Sequence, residues 1–426
     1  MRTAILAGGK GTRIGSMYPE LPKPMFPMLG KPLLQWHIEQ LKAQGLLDIT
    51  LIVGYKSEAV TSHFGNGKGF GVNISYITED QPLGTGGALP LLPKEETLLL
   101  LGDVYYDVDF REFLKFHKEK EALITLFAHP NSHPHDSDIV VVDKESRVIA
   151  WKSKKDKERG DLRNLVNAGL YAFSPEALPR EAATVKDLEK DIVFPLVSSG
   201  KVFARRTVEY AKDMGTPTRI ASVACDIESG VTSTRSHEAK RKAVFIDRDG
   251  TINIEDGFLT DPEKLKLLPG AAEAIKLLNG SPYLAICITN QPVIARGEVT
   301  FERLDQIHAR LDTLLGYEGA YLDDLFFCPH HPHKGFEGEV LEYKIECNCR
   351  KPKPGLILEA ARIHGIDLSQ SYMIGDRLTD VKAGEAAGCT PLGIGLEPFE
   401  PGIRMYKSLL DAVSDILKID NSGKNA

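Results

Sequence analysis

The apolar run Ala243-Val244-Phe245-Ile246 ends in Asp247-Arg248-Asp249-Gly250-Thr251. Two carboxylates at i and i+2 of an extended segment project to the same side, so both can face one reacting group. Phosphoryl transfer through an aspartyl phosphate needs that pair: one carboxylate attacks phosphorus, and the other protonates the leaving oxygen and later activates water. A calcium loop also alternates aspartates, but its glycine and closing glutamate spacing is absent here. A second chemistry is suggested by Leu6-Ala7-Gly8-Gly9-Lys10-Gly11-Thr12-Arg13, which has three glycines in four positions directly after an apolar run. Missing side chains let backbone N–H groups approach a phosphate chain, and the Arg13 guanidinium suits phosphate oxygens. The loop is neither a Walker A loop nor the dinucleotide fingerprint.

A third constellation is Cys328-x-His330 followed by Cys347-x-Cys349. These four ligands are enough to close a tetrahedral zinc shell with no open position, a structural rather than catalytic arrangement. His331 and His333 are rival ligands; otherwise they belong to a solvated loop. Because Cys349 adjoins Arg350 and Lys351, a Zn2+ held there pins the loop that presents those cations.

The elements that must position these residues alternate in type. Short apolar runs at 3–7, 49–53, 97–101, 122–127 and 139–142 read as strands, with helical patterns such as 33–44 between them. Around 226–242 the chain turns polar and loses its apolar periodicity, which places a linker there. Alternation restarts with strands at 243–246, 283–288, 325–327, 372–374 and 391–394, each ending in polar residues. Ligands of such sheets bind beyond the carboxyl ends of the strands. The expected fold class is α/β, with two Rossmann-like three-layer α/β/α domains. Residues 1–228 form the first, 229–241 the linker and 242–420 the second.

With 426 residues the chain is long enough for two or three cores. Lys plus Arg number 52 against 59 Asp plus Glu, a net charge of −7. The first 240 residues carry 31 basic and 31 acidic side chains, so all the net charge sits in the remainder, which argues against nucleic acid as its partner. No run approaches the ~18 apolar residues of a membrane span, and the opening residues are too short for a signal peptide. The expected location is the cytoplasm, with small-molecule substrates, no membrane partner and a homo-oligomer left open. Six cysteines are too sparse for a disulfide scaffold.

The glycine loop continues as Leu21-Pro22-Lys23-Pro24, and the stretch 6–32 resembles the sugar-1-phosphate nucleotidyltransferases. Their signature reads Gly-Gly-x-Gly-Thr-Arg, a spacer, then Pro-Lys-Pro. Further matches follow in order: Pro82-Leu83-Gly84-Thr85-Gly86-Gly87, Leu101-Gly102-Asp103, Asn167-Ala168-Gly169-Leu170-Tyr171, Leu188-Glu189-Lys190-Asp191 and Asp213-Met214-Gly215. The resemblance implies that Gly8, Gly9, Gly11 and Thr12 hug the nucleotide, and that the loop with Gly84 and Thr85 receives the base. It implies catalytic cations at Arg13 and Lys23, Mg2+ ligands at Asp103 and Asp213, and a sugar phosphate held by Lys152, Asn167 and Gly169. Positioning and cation clamps then supply the catalysis, with no covalent intermediate. Where the family usually has Glu-Lys before the sugar site, this chain has Trp151-Lys152.

Ile288-Thr289-Asn290-Gln291, Arg350-Lys351-Pro352 and Gly375-Asp376-Arg377 with Asp380 complete a set that resembles the haloacid dehalogenase phosphatases. The resemblance implies a haloacid dehalogenase fold with a zinc-bound loop for the second domain. Asp247 is then the nucleophile and Asp249 the acid/base, with Thr289, Asn290, Arg350 and Lys351 holding the phosphoryl group. Asp247, Asp376 and the backbone carbonyl of Asp249 hold Mg2+. With Ile294-Ala295-Arg296-Gly297 and the zinc loop, the set is most similar to the heptose 1,7-bisphosphate 7-phosphatases. Histidinol-phosphate phosphatases share much of it, and Pro292-Val293 replaces the usual Ser-Gly. Such a phosphatase would release a heptose 1-phosphate, the substrate type that the first domain would activate with a nucleoside triphosphate, GTP being favoured. The alternative pairs a mannose or glucose 1-phosphate nucleotidyltransferase with a histidinol-phosphate-type phosphatase.

Overall fold

Alternate residues of the strands in the first half of the chain face opposite layers. Ile5, Leu51, Leu98 and Leu100 join one apolar core, while Ala4, Ile52 and Leu99 join another. A sheet buried on both faces reads as continuous apolar runs rather than as alternation, which is why Thr97-Leu-Leu-Leu-Leu101 is uniformly hydrophobic. The computed structural model describes residues 1–9, 18, 20–156, 159–179, 185–236, 238–335, 337–395 and 401–423. Its contacts divide the chain into two units.

The first unit comprises Met1–His129, Val140–Lys152 and Leu165–Ser236. The elements that frame its site are β1 (Arg2–Leu6), α1 (Leu33–Ala43), β2 (Asp48–Val53), β3 (Asn73–Thr78), β4 (Thr97–Leu101), β5 (Val104–Asp107), α2 (Phe110–Glu119) and β6 (Ile124–His129). There follow β7 (Ile139–Val142), β8 (Val148–Lys152), β9 (Val166–Phe173), β10 (Val202–Arg206), β11 (Tyr210–Asp213), α3 (Pro217–Glu228) and α4 (Val231–Arg235). The main sheet runs β8-β7-β9-β4-β1-β2-β3, with β6 pairing β9 and β10. β4, β1, β2 and β3 are parallel, and β9 returns antiparallel to β4. A register shift between Asn167 and Tyr171 bulges β9 where it pairs β6. β5 and β11 form a separate antiparallel ribbon.

The polar stretch expected as a linker is partly helical. α3 runs through Glu228, and α4 buries Val231, Thr232 and Arg235. Packing of a few side chains overrides the weak local pattern there.

The second unit comprises Pro130–Ile139, Ser153–Asn164 and His237–Ala426, so two segments of the first-half sequence cluster with it rather than with residues 1–228. Its elements are β12 (Lys242–Ile246), α5 (Ala271–Asn279), β13 (Tyr283–Asn290), α6 (Phe301–Tyr317), β14 (Asp324–Cys328), α7 (Gly355–His364), β15 (Tyr372–Gly375), α8 (Leu378–Ala387), β16 (Thr390–Ile394), β17 (Arg404–Tyr406) and α9 (Leu409–Gly423). The sheet is parallel throughout, in the order β14-β13-β12-β15-β16-β17. That is the doubly wound order 3-2-1-4-5-6, whose switch point falls between β12 and β15. The borrowed segments pack on α6: Arg163 Nε donates to Asp312 at 2.9 Å, the Asn164 N–H to the same carboxylate at 3.1 Å, and Arg310 pairs with Asp161 at 3.4 Å.

Candidate active sites

Each sheet carries polar residues where its central strands end. In the second unit, Asp247 follows β12 and Asp376 follows β15, on either side of the switch point. Asp247, Asp249, Thr289, Asn290, Gln291, Arg350, Lys351 and Asp380 line one pocket of about 230 Å³, whose lining does not include Asp376. Lys351 Nζ lies 2.7 Å from Asp247 Oδ1 and 2.6 Å from Asp380 Oδ1, and donates to the Ile288 carbonyl at 2.8 Å. Burial works against its charge, but Asp247 and Asp380 outweigh burial and hold its pKa above the ordinary lysine value.

Burial, with Asp380 adding repulsion against the opposing Lys351, raises Asp247 to about 7. Burial and then Asp380 raise Asp376 to about 6. The Asp376 Oδ1 atom is buried with no hydrogen-bond partner. One ligand atom from each of Asp247, Asp376 and Asp380 lies within 4.8 Å of the others. Clustered carboxylates with a buried oxygen left unpaired, as on Asp376, are suited to a hard divalent cation. Gly250 makes the approach possible: at φ +78° its missing Cβ leaves room for Asp376 Oδ2, which a Cβ would meet at 2.3 Å. Asp380, to which sequence reasoning gave no role, also caps α8 by accepting the Arg377 N–H at 3.0 Å.

Asp249 is held differently. Arg248, fully buried, reaches it with Nη2 at 2.8 Å from each oxygen, and Asn253 and Gln291 donate at 3.0 and 2.9 Å. Burial raises its pKa, yet Arg248, Asn253 and Gln291 outweigh burial and hold it below the usual carboxylate value. Asn290 addresses the backbone of Lys351: its Nδ2 donates to the carbonyl at 3.1 Å and its Oδ1 accepts the N–H at 3.0 Å. Arg350 donates to the His330 carbonyl at 3.2 Å.

Beside this pocket the side chains of Cys328, His330, Cys347 and Cys349 converge, with five of the six ligand-atom pairs 3.2–3.7 Å apart and all within 4.8 Å. Zinc bonds of about 2.0–2.3 Å at tetrahedral angles separate ligand atoms by roughly 3.4–3.8 Å, so the set fits that ion. The rivals His331 and His333 lie outside the cluster: His331 Nδ1 meets the His333 carbonyl at 3.3 Å, and His331 lines the phosphate-side pocket.

In the first unit, Lys23 on a short 3-10 turn lies 2.6 Å from Asp103, the residue that follows β4 and Gly102. The β5–β11 ribbon pairs Asp213 with Val104, one residue from Asp103, so two distant carboxylates reach one edge. Arg219 forms an ion pair with Asp213. Gly8 packs against the Glu79 carboxylate, whose pKa burial raises, and Gly9 borders open space. Gly11, Thr12 and Arg13 lie outside the described residues. Gly84, at φ +81°, lets its loop close on the Lys186 carbonyl, and the Thr85 hydroxyl accepts the Leu188 N–H at 3.0 Å. Lys152 ends β8. At the β9 bulge Asn167 Oδ1 accepts the Gly169 N–H at 3.2 Å, and Asn167 Nδ2 meets Tyr171 Oη at 2.6 Å. Tyr171 in turn donates to Glu189 at 2.6 Å. Sequence reasoning gave Glu189 and Tyr171 no role, although both sit in motifs it singled out.

A lysine–aspartate pair beyond the first sheet and an aspartate pair at the switch point of the second are the arrangement of an enzyme with two phosphorus-handling units. Residues 2–230 match the nucleotidyl transferase family, and residues 348–395 match the HAD-hydrolase-like family. The D-glycero-beta-D-manno-heptose-1,7-bisphosphate 7-phosphatase of Pasteurella multocida is 35% identical over 182 residues, covering 42% of this chain and 96% of that protein. The Rhodopseudomonas palustris protein of the same name is 41% identical over 149 residues, covering 35% and 81%. Among solved structures, HddC from Yersinia pseudotuberculosis is 24% identical with TM-score 0.46, covering 53% of this chain and 99% of that one. The chain belongs to the nucleotidyl transferase family and, through its second part, to the heptose bisphosphate phosphatase branch of the HAD-like hydrolases. No described helix is long and apolar enough to cross a membrane.

Proposed function

We propose that this chain makes a nucleotide-activated heptose in the cytoplasm by two successive reactions. The second unit removes the 7-phosphate of D-glycero-D-manno-heptose 1,7-bisphosphate. The first then transfers a nucleotidyl group, GTP being the favoured donor, to heptose 1-phosphate with release of pyrophosphate. The observation that carries this reading is the pairing itself: a part similar along 96% of the length of a heptose bisphosphate phosphatase shares a chain with a nucleotidyl transferase part. The product of one is the acceptor class of the other.

In the phosphatase, Asp247 attacks phosphorus while Lys351 and Thr289 hold the phosphoryl oxygens and Asn290 fixes the Lys351 backbone. Asp249 gives a proton to the leaving oxygen and later takes one from water. Asp247, Asp376 and the Asp249 carbonyl would hold Mg2+, with Asp380 beside them; the ion supplies the positive charge that lets an anionic nucleophile meet an anionic phosphate. Cys328, His330, Cys347 and Cys349 would hold Zn2+ as a scaffold, fixing the loop that carries Arg350 and Lys351.

In the transferase, Gly8, Gly9, Gly11 and Thr12 cradle the nucleotide, Gly84 and Thr85 shape the base pocket, and Arg13 and Lys23 stabilise charge on the α-phosphate. Asp103 and Asp213 would hold a second Mg2+, for which their hard oxygens and shared edge are suited. Lys152, Asn167 and Gly169 orient the sugar phosphate for in-line attack.

Incubating the protein with heptose 1,7-bisphosphate and each nucleoside triphosphate in turn tests the reading. One mole each of phosphate and pyrophosphate per mole of sugar nucleotide is expected, fastest with GTP. Preference for histidinol phosphate over the heptose ester would overturn it.

A further inference from the structure

Hydrogen-bond accounting around Gln291 leaves a single arrangement. Asp249 accepts from Arg248 on both oxygens, at 2.8 Å each, and from Asn253 on one. Arginine only donates, so this carboxyl group is an acceptor at both ends. Gln291 stands 2.9 Å from Asp249 Oδ2 and must present its amide nitrogen, because its oxygen would face another acceptor. The same nitrogen lies 2.9 Å from Thr289 Oγ1, so its second hydrogen goes to that hydroxyl. Thr289 therefore accepts from Gln291 and must direct its own proton elsewhere. Among the described residues no acceptor takes that proton. Thr289 is 1% exposed and lines the pocket, so its proton points to where a ligand oxygen would sit. Gln291 is itself 2% exposed, and its backbone N–H donates to the Cys328 carbonyl at 2.8 Å, which fixes the main chain that carries the side-chain amide.

We infer that Gln291 is a positioning residue for phosphoryl transfer. It turns the Thr289 hydroxyl into a donor to the transferring group and holds the Asp249 carboxyl in line with the leaving and entering oxygens. The inference rests on the phosphatase reading above. In the first step an Asp247 oxygen bonds to phosphorus as the ester P–O bond breaks, and Asp249, ionised in the free site and protonated from solvent when the phosphate dianion binds, passes that proton to the leaving alkoxide. In the second, water bonds to phosphorus as the Asp247 O–P bond breaks, and the water proton returns to Asp249. Water is the only co-reactant, and Gln291 exchanges no atom.

The test uses the full chain with Mg2+ and two esters: heptose 1,7-bisphosphate, whose alkoxide must be protonated, and p-nitrophenyl phosphate, whose phenolate leaves without help. Gln291→Met keeps length and removes the donor; Gln291→Glu keeps shape and replaces donor by acceptor. In single-turnover release of the leaving group, both variants should lose about 100-fold on the heptose ester and under about 5-fold on the aryl ester, because only the former needs the acid and the later water step, common to both, is not read. Inhibition by inorganic phosphate should weaken about 10-fold, through loss of the Thr289 donor. Equal losses on both esters, or no loss on either, would overturn the inference. Should Gln291→Met fail to fold, Gln291→Glu carries the comparison. Absence of activity on both esters in the unmodified protein would refute the phosphatase reading itself, a separate result.

Discussion

Lys351 holds two aspartates at once, and that shapes what single substitutions do. With Asp247 and Asp380 both within 2.7 Å of one ammonium, replacing Asp247, the nucleophile of the proposed mechanism, leaves the Lys351–Asp380 pair intact. Asp247→Asn should therefore fold and should abolish phosphate release, by at least about 10⁴-fold, since the covalent step has no other nucleophile. Pyrophosphate formation from heptose 1-phosphate should persist in that variant; assaying both products on one preparation checks it. Asp103→Ala should do the reverse, silencing nucleotidyl transfer alone. Much of this pocket was legible in the sequence because its ligands sit at short spacings on strand ends, where type and position together specify a chemistry. Asp380, Gln291 and Asn253 were not assigned roles, because their part depends on which oxygen or amide they face across the pocket.

Local geometry makes the elements around the site sensitive. Gly250→Ala places a Cβ against Asp376 at a positive φ, so it should destabilise the second unit by about 1–3 kcal/mol and weaken Mg2+ affinity. Isothermal titration with Mg2+ and denaturant unfolding would register both. On the proposed zinc assignment, Cys347→Ser should lower the zinc found by elemental analysis and shift thermal unfolding of the second unit downward, because a closed zinc site contributes folding free energy directly.

The helix α6 carries a pH response. His308 is buried, its Nε2 has no hydrogen-bond partner, and desolvation, then Arg248, hold its pKa well below 6.5. Below about pH 6.5 the unfolded chain takes up a proton at this histidine that the folded protein does not, so stability falls as pH drops through that value. His37 contributes with the same sign in the first unit, so the comparison must be with a variant. His308→Leu should flatten the fall between pH 7.5 and 5.5 in urea unfolding; an unchanged slope would contradict this assignment.

At the scale of the whole molecule, pairs far apart in sequence matter most. Arg163 faces Asp312 across 149 positions, and Asp312 is 6% exposed. Arg163→Ala removes the cation from that carboxylate, leaving it the Asn164 N–H, and should cost about 1–2 kcal/mol in the second unit, discounted for the partial exposure of the arginine. Denaturant midpoints report it, with both activities of the folded protein retained. Nothing in the charge pattern of 153–164 distinguished this segment from an ordinary solvated loop, because the partner lies on α6.

Short-range pattern was enough to read two α/β halves, a glycine loop, an aspartate pair and a cysteine–histidine quartet, since strand periodicity, glycine placement and ligand spacing act over a few residues. Folding alone decided that 130–139 and 153–164 join the second unit, that α4 replaces part of a polar linker, and that Lys351 bridges Asp247 to Asp380. Those outcomes are settled by packing and by burial of charge between segments remote along the chain, energies that no local window contains.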